Sequence, residues 1–300
     1  MTSPLPVITI GVVAYNEERS IPKAIRSLQA ASQYLCGGVE FIVLASGCTD
    51  RTVEVAIEAF DGDHRALVIQ EKSRLSKCAA LNRLVCNAHG SILLLVDADI
   101  EVDPIALQLL SCALSDDPGL AIAFGRMIPR AGPSRFWTGI GVMTSEALHA
   151  VRALSDGSGL WLVCGPLYAV RATAWPGLPD GLIADDVYLG LLCRARGLPV
   201  RYLPSAIAFG LYPQNLRDLL SQKLRNRLAR LQLRTLEGNS FRKVPLWMAL
   251  FAIPRLGWTS IRHLPILLID TVLCFVALLL WASGNTPGPL WKQVSSTKLR

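Results

Sequence analysis

Two carboxylates spaced i, i+2 close an aliphatic run, Leu93-Leu94-Leu95-Val96-Asp97-Ala98-Asp99. On a strand, the two-residue period puts both acids on one side. At the carboxyl end of a parallel strand, where open α/β sheets receive ligands, such hard oxygens suit Mg2+ or Mn2+ bridging a diphosphate. The same spacing also serves as a turn or capping pair, and Asp-x-Asp alone does not decide between them. A second acidic pair, Asp185-Asp186, opens a helical pattern that runs to Arg196. On its own the pair reads as the acidic first turn of a helix. Ala14-Tyr15-Asn16-Glu17-Glu18 follows the first apolar run. Its aromatic ring could stack on a base and its acid could take ribose hydroxyls, while a turn with a helix-start Glu pair is the plainer alternative. No G-x-G-x-x-G follows that run and no G-x-x-x-x-G-K-[ST] occurs anywhere, so dinucleotide and P-loop readings lose support.

These residues need a scaffold, and the pattern around them supplies one. Short β-branched runs at Val7–Ala14, Glu40–Leu44, Ala66–Ile69, Ile92–Val96 and Leu120–Phe124 read as strands. Between them, Ser20–Tyr34 and Ser76–His89 carry apolar residues near helical period, and Asp103-Pro104 would open a third helix as N-cap and first-turn proline. Strands alternating with helices predict an α/β domain with a mostly parallel sheet covered by helices. After Gly125 the alternation loosens into a long helical stretch and a Gly/Pro-rich loop around Pro176–Gly181.

Tyr15-Asn16-Glu17, Ser46-Gly47-Cys48-Thr49-Asp50, Lys77 through Asn82, Asp97-Ala98-Asp99 and Asp185-Asp186 occur in the order and approximate spacing of family-2 glycosyltransferases. The chain resembles that family over roughly residues 6–235. The resemblance implies the GT-A fold, a nucleotide-sugar donor, a divalent metal at the Asp-x-Asp and an inverting displacement. Tyr15 and Glu17 then resemble part of the nucleoside pocket, and Lys77 and Asn82 the donor-side K-x-x-x-x-N element. Asp99 resembles the metal ligand, with Asp97 meeting ribose or metal. Asp186 resembles the family's general base, which deprotonates the acceptor hydroxyl as it attacks the anomeric carbon. Asp185 beside it is placed with the phosphate or acceptor.

Two departures narrow the expectation. The family's usual Asp-Asp-Gly-Ser-Thr-Asp stands here as Ala45-Ser46-Gly47-Cys48-Thr49-Asp50, so the acid that reads the nucleobase is missing. Ser46 could offer a weaker hydrogen bond, which leaves uridine specificity open. Gln222-Lys223-Leu224-Arg225-Asn226 keeps the Gln and Arg of the processive members' Q-x-x-R-W motif and lacks its Trp. Arg225 reads as a phosphate clamp or as part of a basic helix face.

The chain has 300 residues, 51% apolar, with mean hydropathy +0.38, above the usual soluble range. Its net charge of +7 divides into −3 over residues 1–210 and +10 over residues 211–300. A basic tail beside apolar runs suits phospholipid head groups better than nucleic acid. Val244–Ile261 and Leu264–Ala282 are apolar; the second, as a helix of about 28 Å, nearly matches a hydrocarbon core of about 30 Å. Asp270 opposes insertion there, and Arg255 or Arg262 could partner it. Positive residues on both flanks favour a hairpin with both ends inside.

We therefore expect a catalytic domain over residues 1–235, then a basic junction, two membrane-associated helices and a short basic tail over residues 236–300. The start, MTSPLPVITIGVV, lacks the pattern of a signal peptide, which places the catalytic domain in the cytoplasm at the cell membrane. Eight scattered cysteines form no C-x-x-C pair, so most are expected to be reduced core thiols. The leading expectation is transfer of one sugar to a lipid or lipid-linked acceptor. A processive polysaccharide synthase and a catalytically silent membrane scaffold are the alternatives.

Overall fold

The computed structural model describes residues 7–155 and 165–237. Its first half runs β1 (Ile8–Ala14), α1 (Ile21–Ser32), β2 (Val39–Ser46), α2 (Thr52–Phe60), β3 (Ala66–Glu71), α3 (Lys77–Cys86) and β4 (Ile92–Asp97). The second half runs β5 (Glu101–Val102), α4 (Ala106–Asp116), β6 (Ile122–Pro129), α5 (Arg135–Ser155), β7 (Leu167–Arg171), α6 (Asp185–Ala195), β8 (Val200–Gly210) and α7 (Leu216–Glu237). All eight of these strands join one sheet, in the order β3-β2-β1-β4-β7-β6-β8-β5. β1 pairs in parallel with β2 and β4, β2 with β3, and β6 with β8. Only β7, against β4 and β6, and β5, against β8, run antiparallel among the described strands.

Strand alternation divides the core into two layers. Ile92, Leu94 and Val96 of β4 face α1, α2 and α4, with Ile25, Leu28, Phe60 and Leu110 among their partners. Leu93 and Leu95 face the other way, toward α3, α6 and the loop before α6, with Leu84, Leu182 and Leu189. A parallel strand buried on both faces needs this continuous aliphatic run, and each such side chain contributes about 1.5–3 kcal/mol on burial. Gly11 of β1 sets how close α3 lies: a Cβ there would stand 2.7 Å from Leu84 Cδ2 and 2.8 Å from Leu95 Cδ2.

Several expectations need correction. The helix expected at Asp103-Pro104 begins at Ala106, because Asp103 forms a turn first: its Oδ1 accepts from Ile105 N at 3.2 Å and its carbonyl from Ala106 N at 3.0 Å. Of the six described cysteines, all unpaired, only Cys78 and Cys193 are buried; Cys36, Cys86 and Cys112 are exposed. Elements α2, β5, β7 and β8 add to those expected. The basic stretch from Lys223 to Arg234 lies on α7, a 22-residue helix. Among the described residues no helix is long and apolar enough to cross a membrane. The two apolar segments and the basic tail lie outside the described residues.

Candidate active site

Because β1, β2, β3 and β4 are mutually parallel, their carboxyl ends share one edge of the sheet, the edge at which α/β folds receive ligands. Two groups of side chains gather there. At the ends of β1 and β2, Asn16 takes a left-handed conformation (φ 52°), and its side chain joins the neighbouring loop. Asn16 Oδ1 accepts from Thr49 N at 2.8 Å, and its Nδ2 donates to Thr49 Oγ1 at 3.1 Å. Asp50 completes the join by accepting from Glu18 N at 3.2 Å and Thr52 N at 3.0 Å. Glu17 is buried, its N–H donating to Thr52 Oγ1 at 2.7 Å.

Ser46 is buried at the end of β2, and its hydroxyl accepts from Leu75 N at 2.8 Å, fixing the loop that leads into α3. Gly47 follows with φ 62°, and a Cβ on it would lie 2.3 Å from Arg74 N. Only glycine fits a turn so strained and so crowded. The same loop carries Arg74, whose guanidinium lies 3.7 Å from the centroid of the Tyr15 ring. The Tyr15–Arg74 stack was not foreseen, since nothing in the local sequence marks Arg74 as the ring's partner.

The second group centres on Lys77, the first residue of α3. Its Nζ lies 2.9 Å from Asp97 Oδ1 and 3.4 Å from Asp185 Oδ2, so it joins the end of β4 to the start of α6. Burial pulls this ammonium toward neutrality, but Asp185 and then Asp97 outweigh it and hold Lys77 charged well above its usual range. Asp185 is itself buried, and its Oδ2 makes no hydrogen bond. Asp186 is held by the backbone, its Oδ2 accepting from Gly165 N and its Oδ1 from Val187 N, each at 2.8 Å. Burial, and next the charge of Asp185, raise the Asp186 carboxyl to about 6, while Lys77 and the two backbone donors pull it down. Tyr168 of β7 belongs to this group although no motif announced it: burial, and next Asp185, push its phenol well up.

Asp99 also leans on this group. Burial, then Asp97, raise its carboxyl to about 6, and the charges of Lys77 and Arg225 oppose the rise. Arg225, on α7, thus acts on Asp99 through its charge, and Gln222 lies three residues earlier on the same helix.

Asn82 lies one step back, on α3. Its Nδ2 donates to Leu178 O at 2.8 Å, and its Oδ1 accepts from Leu178 N at 2.9 Å and Trp175 Nε1 at 3.2 Å. It grips the loop before α6, so the connection it makes to the site runs through that loop. Ser76, the N-cap of α3, donates to Asp180 in the same loop.

The donor chemistry of this edge fits a divalent cation. Asp97, Asp99, Asp185 and Asp186 outnumber the positive charges of Lys77 and Arg225 that act on them, and hard carboxylate oxygens suit such an ion. Among the described residues no three His, Cys, Asp or Glu side chains are grouped to hold a metal. A divalent cation bound at this edge would be held by the Asp97 and Asp99 carboxylates, with water and ligand oxygens completing its shell.

Comparison with known proteins shows the family. The model for Glycosyl transferase family 2 matches residues 9–173, and that for Glycosyl transferase family group 2 matches residues 92–285. The chain is 26% identical over 238 residues to an N-acetylglucosaminyltransferase of Bradyrhizobium diazoefficiens, covering 74% of this chain and 48% of the relative. It is 28% identical over 102 residues to an undecaprenyl-phosphate 4-deoxy-4-formamido-L-arabinose transferase of Pseudomonas paraeruginosa, covering 34% of this chain and 30% of the other. The chain spans about half the length of the N-acetylglucosaminyltransferases it matches. A solved mannosyltransferase from Pyrobaculum calidifontis, in complex with GDP-Man and Mn2+, superimposes with a TM-score of 0.63 at 20% identity, over 95% of this chain and 80% of that one, which shows a shared fold. With more than half of the sequence matched by the family model and the motifs gathered on one edge of a GT-A-type sheet, the chain belongs to glycosyl transferase family 2.

Proposed function

We propose that this chain transfers one sugar from a nucleotide-sugar donor to a lipid or lipid-linked acceptor at the cytoplasmic face of the cell membrane, with inversion at the anomeric carbon. The observation that carries the reading is the Lys77 ammonium between Asp97 and Asp185, which brings the acid of β4 and the acidic start of α6 to one point. Tyr15, Glu17 and the Ser46 turn lie at the carboxyl ends of β1 and β2, as a nucleoside pocket requires. A divalent cation, Mg2+ or Mn2+, held by Asp99 and Asp97 would neutralise charge on the diphosphate. Lys77, and Arg225 from α7, add positive charge on the same side.

The acceptor oxygen attacks the anomeric carbon while the bond from that carbon to the diphosphate breaks. The acceptor's proton passes to Asp186, and the nucleoside diphosphate departs from the opposite face. Each Asp186 oxygen has a second lone pair beyond the one given to its backbone donor, so the grip on Gly165 and Val187 leaves room for this proton. A pKa near neutrality suits a general base.

The lipid acceptor is supported by the undecaprenyl-phosphate transferase relative and by the basic helix α7, beyond which the sequence adds Arg242 and Lys243 before the apolar segments. Basic residues near an anionic leaflet contribute about 1 kcal/mol each, so several together suffice to hold the site against lipid. Phospholipid and not nucleic acid is then the partner of the basic tail. The test is thermal denaturation of the purified chain with Mn2+ and a panel of uridine, guanosine and thymidine diphosphate sugars. One donor class should stabilise the fold, by about 2.7 kcal/mol at a hundred times its Kd. Silence with every donor would favour a catalytically silent scaffold.

A further inference from the structure

The loop between Ala174 and Asp185 contains neither helix nor strand, so its anchors decide where the carboxylates of α6 begin. Three anchors come from α3, namely Asn82 at Leu178, Ser76 at Asp180 and the Cys78 thiol at Leu182 O. Another comes from α7, close to the acids. Gln232 Nε2 donates to Gly181 O at 2.8 Å, and Gln232 Oε1 accepts from Ile183 N at 2.9 Å. One amide thus meets the carbonyl of one residue and the N–H of the residue two further on, which fixes that stretch in position and in register. Gly181 turns there with φ 83°, and Asp185 follows Ile183 by two residues.

Gln232 is in turn well held. Leu228, Ala229 and Leu233 around it on α7 are buried, so the helix is seated and the amide has little freedom. Arg225 lies seven residues earlier, two turns away on the same face. The same helix therefore carries Arg225, whose charge acts on Asp99, and Gln232, which holds the loop before the acids of α6.

We infer that Gln232 is a positioning residue for transfer: by clamping Gly181 and Ile183 it sets the place of Asp186, and so ties the acceptor side of the site to α7. The inference rests on the reading of Asp186 as the base. A residue that only stabilised the fold would change melting and donor binding together. A positioning residue changes turnover while donor binding holds, because the donor is met by other elements.

The test uses the full chain with Mn2+, the nucleotide sugar that stabilises it, and a membrane lipid extract as acceptor. Gln232→Ala should lower kcat about tenfold or more with donor KM within about twofold, the signature of a group acting only on the transition state. Hydrogen exchange of the peptide spanning residues 180–187 should quicken by about tenfold, since the Ile183 N–H loses its acceptor. Gln232→Glu gives a second reading that survives poor folding of the alanine variant. A protonated carboxyl donates and accepts as the amide does, so its kcat relative to the parent should recover as pH falls, whereas that of Gln232→Ala should stay flat. A kcat within twofold of the parent, unchanged exchange at 180–187, or equal losses of kcat and donor affinity would overturn the inference. Asp186→Asn runs alongside. Normal turnover there overturns the base assignment and this inference with it; an inactive Asp186→Asn beside a normal Gln232→Ala overturns this inference alone.

Discussion

The ammonium of Lys77, at the start of α3, stands 3.4 Å from Asp185 Oδ2, at the start of α6. Lys77→Met removes a cation that pairs with both Asp97 and Asp185, leaving the two carboxylates without it. Turnover should fall about a hundredfold, the scale of losing one preorganised electrostatic contact. Stability should fall as well, because Asp185, only 6% exposed, is left as a buried carboxylate without its counter-charge. Steady-state kinetics and a thermal melt on one preparation check both.

Asp99→Ala should abolish Mn2+-dependent donor binding while leaving the fold nearly intact. The residue follows the end of β4, and its own carboxyl is pushed toward the protonated form by burial and by Asp97, so removal relieves a repulsion. Calorimetric titration of donor with and without Mn2+ measures it. Unchanged metal-dependent binding removes Asp99 from the metal assignment.

Asp186→Asn should keep donor affinity and reduce turnover by roughly 10²–10⁴, since the amide preserves shape and loses basicity. The same assignment fixes a pH limb. Asp186 must be ionised to accept the proton, and its carboxyl titrates at about 6, so kcat should fall as pH drops below about 6. Burial is the larger cause of the raised value and Asp185 the next. Asp185→Asn should therefore move the limb to lower pH without abolishing it. A limb that stays in place shows that the titrating group is another one.

Asn82→Ala should destabilise the chain by about 2 kcal/mol, because the amide's partners at Leu178 and Trp175 are left unmatched. For a domain of this size that is a fall in melting temperature of about 4–8 °C. A melt unchanged by the substitution would mean that the loop before α6 holds itself.

Much of this arrangement is legible in the sequence where period and chemistry agree. The run at Leu93–Val96, buried on both faces, ends in acids that mark a ligand edge, and the five expected strands all appear within a few residues of their expected bounds. Other parts are written only in tertiary structure. Helix α2 begins Thr52-Val53-Glu54-Val55, whose three β-branched residues read locally as strand, and it forms because Ala56 and Phe60 pack on the sheet. β8 carries Pro204 where the register against β6 shifts between Phe124 and Arg126, so its alternation breaks. Lys77 and Asn82 share a motif, yet one faces the carboxylates and the other the loop. Tyr168 reaches the site only because β7 inserts antiparallel beside β4, pairing Leu95 with Tyr168, and no local pattern reports that insertion.

The most direct test of sugar transfer to a lipid is to incubate the chain with Mn2+, labelled nucleotide sugars and a membrane lipid extract, and to weigh the organic-soluble against the water-soluble product by mass. The account predicts label in the organic phase, one sugar heavier than its acceptor, of inverted anomeric configuration, and absent with Asp186→Asn. A water-soluble polymer of high molecular weight, or undiminished product from Asp186→Asn, would contradict it.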